Sequence, residues 1–286
     1  MSASSEKNKT IWWKLMHFPT LGMTGIFLLL QIIPLIYPMN IPIGVSTSTQ
    51  QFYDYMYSLP EGSVVLWQSQ LIMFNYGDLA PLSAATLKLL WNSPNHLKTI
   101  IIFQDPSAPI VWDNMKKTYG LTTLPPGRTY GVDYVEMGYY VGGELGWARV
   151  CDEFQAVYPT DRFGVKDSTL PIVANIKSAK DWAMVITTNS WSGLTDYMVR
   201  HAYGRYNLPT MILPSGMGAV GAMAYYPRVS PAFPIGAGAG AMLEKLQGYS
   251  SLGTYFGSAF SLMSFYTVVL CLINIVSDYM ERREKK

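Results

Sequence analysis

Charge is what this chain is short of: 14% of its 286 residues are Asp, Glu, Lys or Arg, against roughly 25% in ordinary globular domains. The deficit is uneven. Residues 39–254 hold 14 Lys/Arg and 15 Asp/Glu, so the middle of the chain is close to neutral and the positive excess sits in the two ends. With a formal net charge of +2, nothing resembles the basic surface that a nucleic-acid partner demands, and none is expected. Cysteine is equally scarce. Cys271 falls inside an apolar run, which leaves Cys151 without a partner in its own chain and excludes a disulfide framework. The three histidines (His17, His96, His201) are scattered, with no metal-ligand spacing. No cofactor or metal is expected.

Long uncharged runs are what the chain has instead. Residues 21–37 (LGMTGIFLLLQIIPLIY) carry no charge, and the flanking Pro19, Thr20, Pro38 and Met39 extend the stretch. A membrane span needs about 20 residues at roughly 1.5 Å each, so residues 19–38 are expected to form a first span. A cleaved signal peptide is the alternative; the long preceding segment and the lack of a small-x-small site stand against it. Residues 255–276 (YFGSAFSLMSFYTVVLCLINIV) form a second uncharged run. Gly257, Ser258, Ala259 and Ser261 crowd its first half, where small residues let helices approach closely or are simply tolerated facing lipid.

Positive charge clusters outside these runs. Lys7, Lys9 and Lys14 precede the first, and Arg282, Arg283, Lys285 and Lys286 follow the second, against Lys245 alone on the other side. The positive-inside rule then puts both termini in the cytoplasm and the middle of the chain outside, in a cell membrane. The expected organisation is a cytoplasmic tail over 1–18 with interfacial Trp12, Trp13 and Phe18, spans over 19–38 and 255–276, an extracytoplasmic domain over 39–254, and a basic tail over 277–286.

Within the domain, four short runs are continuously apolar: residues 63–67 (SVVLW), 99–103 (TIIIF), 183–187 (AMVIT) and 209–213 (PTMIL). Continuous rather than alternating hydrophobicity is what strands buried on both faces require. Helical patterns fall around them, at 51–58, 82–91, 109–119, 143–157 and 194–206, and residues 133–139 can add a strand. This alternation predicts an α/β fold with a mostly parallel, Rossmann-like sheet and right-handed crossovers, which implies no nucleotide by itself. In the helix over 143–157, Leu145, Ala148, Cys151 and Phe154 recur at three-residue steps and are expected to share the buried face, making Cys151 a core thiol.

The most distinctive stretch is GRTYGVDYVEMGYYVGGELGWARVCDEFQAVYPTD, residues 127–161. With its YGxDYVxxGYxxGGE block, its YPTD and the later LPI at 170–172, it resembles an uncharacterised prokaryotic family of two-span membrane proteins with a central α/β domain. The resemblance implies that layout and no activity, so no catalytic residue is carried over.

Ligands of open α/β sheets bind beyond the carboxyl ends of the strands. Reading each run to its end gives Gln68 and Gln70, Gln104 and Asp105, Thr188, Asn189 and Ser190, and Ser215. They form a candidate ligand set, or ordinary turn chemistry. Gly142 and Gly143 open a helix whose backbone N–H groups are suited to an anion, although Glu144 in the first turn opposes one. Residues 216–221 read GMGAVG, a literal GxGxxG. It follows the wrong strand for a dinucleotide fingerprint, and the next acid is Glu244. Ser215 follows Pro214 rather than a nucleophile-elbow glycine, and Asp161 and Arg162 read as loop ties. No catalytic constellation is complete. The expected function is therefore a structural or assembly subunit that pairs with its own copies or with another membrane protein in the bilayer. The glycine-rich 216–242 segment is its candidate interface or a close-packed core element. The alternative is a small-ligand-binding or enzymatic domain using the strand tips.

Overall fold

A computed structural model describes residues 20–37 and 43–284. The tail with Trp12, Trp13 and Phe18, and Lys285 and Lys286, lie outside the described residues. Ile43–Thr254 form one compact unit and the segments flanking them a second.

The central unit is an α/β domain around five parallel strands: β1 Val64–Ser69, β2 Lys98–Phe103, β3 Tyr134–Tyr139, β4 Met184–Asn189 and β5 Thr210–Pro214. Their order is β3-β2-β1-β4-β5. The chain builds outward from β1 through β2 to β3, then returns to the other side of β1 for β4 and β5, the doubly wound pattern of Rossmann-like sheets. Leu66 is the midpoint of the register, opposite Ile100 on one side and Val185 on the other. All six residues of β4 are buried, as the continuous apolar runs require of strands covered on both faces.

The covering helices are α2 Thr47–Ser58, α3 Tyr76–Trp91, α4 Ala108–Thr118, α5 Gly143–Asp152, α6 Phe154–Val157, α7 Ser192–Tyr206, α8 Ala219–Ala222 and α9 Gly236–Leu246. Alternate strand residues feed two cores. Trp67, Ile101, Phe103, Ile186 and Leu213 pack with Leu82, Leu90, Trp112 and Leu243 from α3, α4 and α9. On the opposite face Leu66, Ile100, Ile102 and Val185 meet Trp147, Val150, Cys151, Phe154 and Met198 from α5, α6 and α7. The buried Trp67 indole N–H donates to Thr188 Oγ1 at 3.0 Å. Helix α9 lies close along α3. A Cβ on Gly240 would stand 2.6 Å from the Pro81 carbonyl carbon, so that second half of the glycine-rich segment is a close-packed core element.

Some helix details differ from the sequence expectation. Helix α3 begins at Tyr76, six residues before the expected start, because Gly77 and Pro81 disguise a turn that burial of Leu79 and Ala80 stabilises. The helix expected over 143–157 breaks at Glu153 into α5 and α6. Leu145 is 78% exposed, while Gly146, Trp147, Val150 and Cys151 form the buried face of α5. The large Trp147 ring, stacked with Trp182 at 6.3 Å, sets the helix rotation in place of Leu145.

In the flanking unit, α10 Leu252–Glu284 contains an apolar stretch over Leu252–Met280 that is long and apolar enough to cross a membrane. Helix α1, Thr20–Ile36, has 17 residues, or about 25 Å at 1.5 Å per residue, short of the roughly 30 Å hydrocarbon core. One helix therefore meets the length of a span among the described residues, where two were expected. The Tyr266 hydroxyl donates to the Met23 carbonyl at 3.3 Å, so α1 and α10 touch beyond the small-residue stretch 257–261.

Candidate functional site

Because the strands run parallel, all five carboxyl ends share one edge of the sheet, and the chain reverses its direction of growth between β1 and β4. Gln68 is fully buried there. Its amide donates to Gln104 Oε1 at 3.1 Å and accepts from the Thr187 hydroxyl at 2.7 Å. Gln104 donates in turn to the Tyr197 hydroxyl on α7. Ser190 receives Asn75 Nδ2 at 3.0 Å, and its N–H donates to Gln70 Oε1 at 3.3 Å. Ser215 N–H donates to the Asn189 carbonyl at 2.9 Å, and Ser215 Oγ accepts from Gly218 N–H at 3.2 Å. Gln68, Asn189, Ser190 and Ser215 thus gather at the tips of β1, β4 and β5, and most of their polar atoms are spent on one another and on neighbouring turns. Asn189 keeps one opening. Its Nδ2 donates to Thr195 Oγ1 at 2.9 Å, while its buried Oδ1 has no hydrogen-bond partner among the described residues.

Asp105 does not join them. It sits at the tip of β2, two strands from β4, or about 10 Å at the usual strand spacing. One oxygen is taken by the Ser107 N–H at 2.8 Å and the Ser107 hydroxyl at 2.6 Å, at the start of α4. Gly142 and Gly143 open α5 with φ of +100° and +55°, the left-handed region that glycine adopts without strain. Glu144 faces α7, where Arg200 binds it at 2.9 Å through two nitrogens and His201 Nε2 lies at 3.1 Å. Desolvation pushes the Glu144 carboxyl up, but the hydrogen bonds from Arg200 and His201 outweigh it and hold it below the usual range. In the GxGxxG segment, Gly218 packs on Ser190, where a Cβ would stand 3.0 Å from the backbone carbon. Helix α8 beyond it has four residues. Close packing accounts for the glycine, and a four-residue helix offers little dipole to a phosphate.

Around this polar interior lies an apolar rim. Of fourteen large hydrophobic side chains exposed in residues 43–254, ten follow the carboxyl ends of strands. Met73 and Phe74 come after β1, and Ile110 stands in the first turn after β2. Tyr139, Val141 and Leu145 end β3 and open α5; Trp191 follows β4; Met217, Val220 and Met223 follow β5. Ile110, Leu145 and Val220 are each at least three-quarters exposed. No single residue of this kind is unusual, but all five strands contribute to one edge.

A second feature lies on the flank, at edge strand β3. Glu136, 1% exposed, accepts from the Tyr134 hydroxyl at 2.6 Å and pairs with Lys116 through Oε1. Arg162 Nη1 lies 3.0 Å from its Oε2, and Asp113 pairs with both Lys116 (3.2 Å) and Arg162. Arg162 is held charged by Glu136 and Asp113, which outweigh its burial. Asp161 accepts from the Tyr130 hydroxyl at 2.8 Å and from the N–H groups of Phe163 and Val165, closing the loop after α6. Sequence reading placed Asp161 and Arg162 as loop ties and passed over Glu136. A carboxylate between Val135 and Met137 in a buried strand was the signal available. No protein-family model matches the chain, and neither the curated proteins nor the solved structures include a significant match to it.

Proposed function

We propose that the protein is a membrane-anchored assembly subunit whose α/β domain docks a second copy of itself, or a membrane-protein partner, through the carboxyl edge of its sheet. The observation that supports this is the apolar rim: ten exposed hydrophobic side chains from five separate loops surround a polar interior whose hydrogen bonds are largely internal. That anatomy resembles the apolar patches of association surfaces. In this reading α1 and α10 both cross the bilayer, the basic ends stay in the cytoplasm, and the domain stands outside. Anchoring fixes the orientation of each rim, so association in the plane of the membrane costs less freedom than in solution. This layout is the one that the resemblance to a two-span family implies.

The test is the native mass of the complex extracted gently from membranes, for the wild type and for an Ile110→Asp, Val220→Asp variant. A defined oligomer or partner complex that the double variant loses is the expected result. A wild-type monomer, or an assembly indifferent to both substitutions, overturns the reading. Protease accessibility in right-side-out vesicles tests the orientation separately: the domain should be cut and both ends protected.

A second reading, a small-ligand site at the strand tips, draws on the unpartnered Asn189 Oδ1 at the point where the sheet reverses. A monomer that carries a bound small molecule lost on Asn189→Leu substitution would favour it over assembly.

A further inference from the structure

Apart from both surfaces, a cavity of about 340 Å³ opens on the flank of β3, beneath the loop over residues 121–124. This is near the lower end of small-molecule sites, roughly 300–1,000 Å³, and corresponds to a ligand of one ring. Four aromatic side chains wall it, each fixed by the next. Trp91 meets Tyr134 edge-on at 5.3 Å, Tyr134 meets Tyr130 at 6.2 Å, and Tyr130 meets Phe163 at 5.8 Å. Such a chain of edge contacts holds ring faces in place for a flat apolar surface to stack upon.

The same wall carries Lys116 and Glu136. Together with Arg162 and Asp113 they make two positive and two negative charges in mutual contact. The set sums to zero and offers no net field to an ion. A cation would meet Lys116, an anion would meet Glu136, and either would first have to lose its water. A neutral ligand meets neither cost.

Among the described residues the Trp91 indole N–H has no acceptor and Glu136 Oε2 meets Arg162 alone, at 3.0 Å, but both atoms are closed off behind the wall, so a ligand's polar contacts fall to side chains nearer the mouth. Lys116 holds a third N–H beyond those directed at Glu136 and Asp113. A hydroxyl group both donates and accepts, and adjacent hydroxyls on a ring supply both functions within reach of closely spaced partners. Thr122 and Thr123 add hydroxyls at the mouth.

We propose that this cavity binds a neutral, single-ring polyhydroxylated compound, a monosaccharide in chemical class. The apolar face of the sugar stacks on the aromatic wall, while its hydroxyls accept from Lys116 and exchange hydrogen bonds with the Thr122 and Thr123 hydroxyls. The cavity beside α9, by contrast, is walled by Met223, Phe233, Ile235 and Met242 and has no charged lining.

The test is calorimetric titration of the full chain in detergent with glucose, galactose, mannose and N-acetylglucosamine. Glucosamine and glucuronate serve as cationic and anionic rings of the same size. Saturable binding of at least one neutral sugar is expected, weaker for both charged rings. Phe163→Ala, at a 60% exposed side chain whose loss the fold tolerates, should weaken binding about fivefold to tenfold through loss of one ring face. Thr122→Val with Thr123→Val keeps the side-chain shape and removes both hydroxyls, and should weaken binding to a similar degree. The proposal is overturned if none of the four sugars saturates by roughly 50 mM, well past the millimolar constants expected of a ligand this small. It is also overturned if a charged ring binds as well as its neutral counterpart, or if both variants bind like the wild type. These outcomes are independent of the mass of the complex.

Discussion

At its amino edge the parallel sheet is laced shut; at its carboxyl edge it ends in exposed hydrocarbon. The loops entering the strands are tied by Arg128, whose guanidinium donates to the carbonyls of Trp91, Ser93 and Leu97 at 2.9, 3.1 and 3.2 Å. Asn95 donates to the carbonyls of Tyr57 and Leu59, both at 2.7 Å. Val132, Phe163 and Val165 are the large hydrophobic side chains exposed in these entry loops, against ten at the opposite edge. One sheet is therefore finished in two ways. The amino edge ties loop carbonyls internally through Arg128 and Asn95, while the carboxyl edge leaves surface that water covers poorly.

The comparison breaks most visibly at Arg128. Its side chain is 5% exposed, and Arg128→Ala should cost about 3–5 kcal/mol by orphaning three carbonyls and Asp133, read as a large fall in melting temperature. If stability holds, the amino edge is not the fastening described. Next in size is the rim. Ile110→Asp with Val220→Asp should change stability by no more than about 0.5 kcal/mol per site, since exposed positions tolerate substitution, while abolishing assembly. An unfolded double variant would show that these side chains belong to the core. Thermal melts from pH 7 to pH 3 test the α5–α7 contact, which runs from Glu144 at the carboxyl edge to Asp152 at the far end of α5. Hydrogen bonds from Tyr206 and Arg205 outweigh desolvation and lower the Asp152 carboxyl, as Arg200 and His201 do for Glu144. Groups with depressed folded values contribute stability above the ordinary carboxylate range of about 4 and lose it as pH falls through the lowered value. A Glu144→Gln, Asp152→Asn variant should therefore show a slightly shallower acid limb than the wild type; identical limbs would mean these exposed pairs contribute nothing. Smallest of all is the expected effect of thiol reagents on the domain. Burial pushes the Cys151 thiol up, and labelling of the folded protein at that residue should be negligible until denaturant is added.

The strands were legible because a sheet covered on both faces leaves a mark that does not depend on neighbours: five or so apolar residues in a row, as in TIIIF or AMVIT. The polar residues at their ends were equally legible, and four of the seven candidates do meet, because they close the neighbouring strands β1, β4 and β5. What they do there was not legible. Gln68 and Ser190 take partners far along the chain (Gln104, Thr187, Asn75), and a list of turn residues cannot say which will be satisfied. The rim escaped notice for a related reason. Ile110, Leu145 and Val220 are far apart in sequence and individually ordinary, and they become a surface only once parallel topology puts five loops on one edge. Leu145 was misread by the same logic, as a three-residue step that burial of Trp147 overrides.

Helix α9 holds one more arrangement. Lys245 donates to the carbonyl of Ile43, where the chain enters the domain, at 2.6 Å. Its neighbour Glu244, 1% exposed, accepts from the N–H groups of Ser251 and Thr254, at 3.0 and 2.7 Å, where the chain leaves. Entry and exit are thus gripped by consecutive residues. Tension applied between the two ends of the domain would run through this single point on α9 and bypass the β1–β4 ladder. The sheet, and the rim it carries, would stay intact under loads that had already begun to open the attachment.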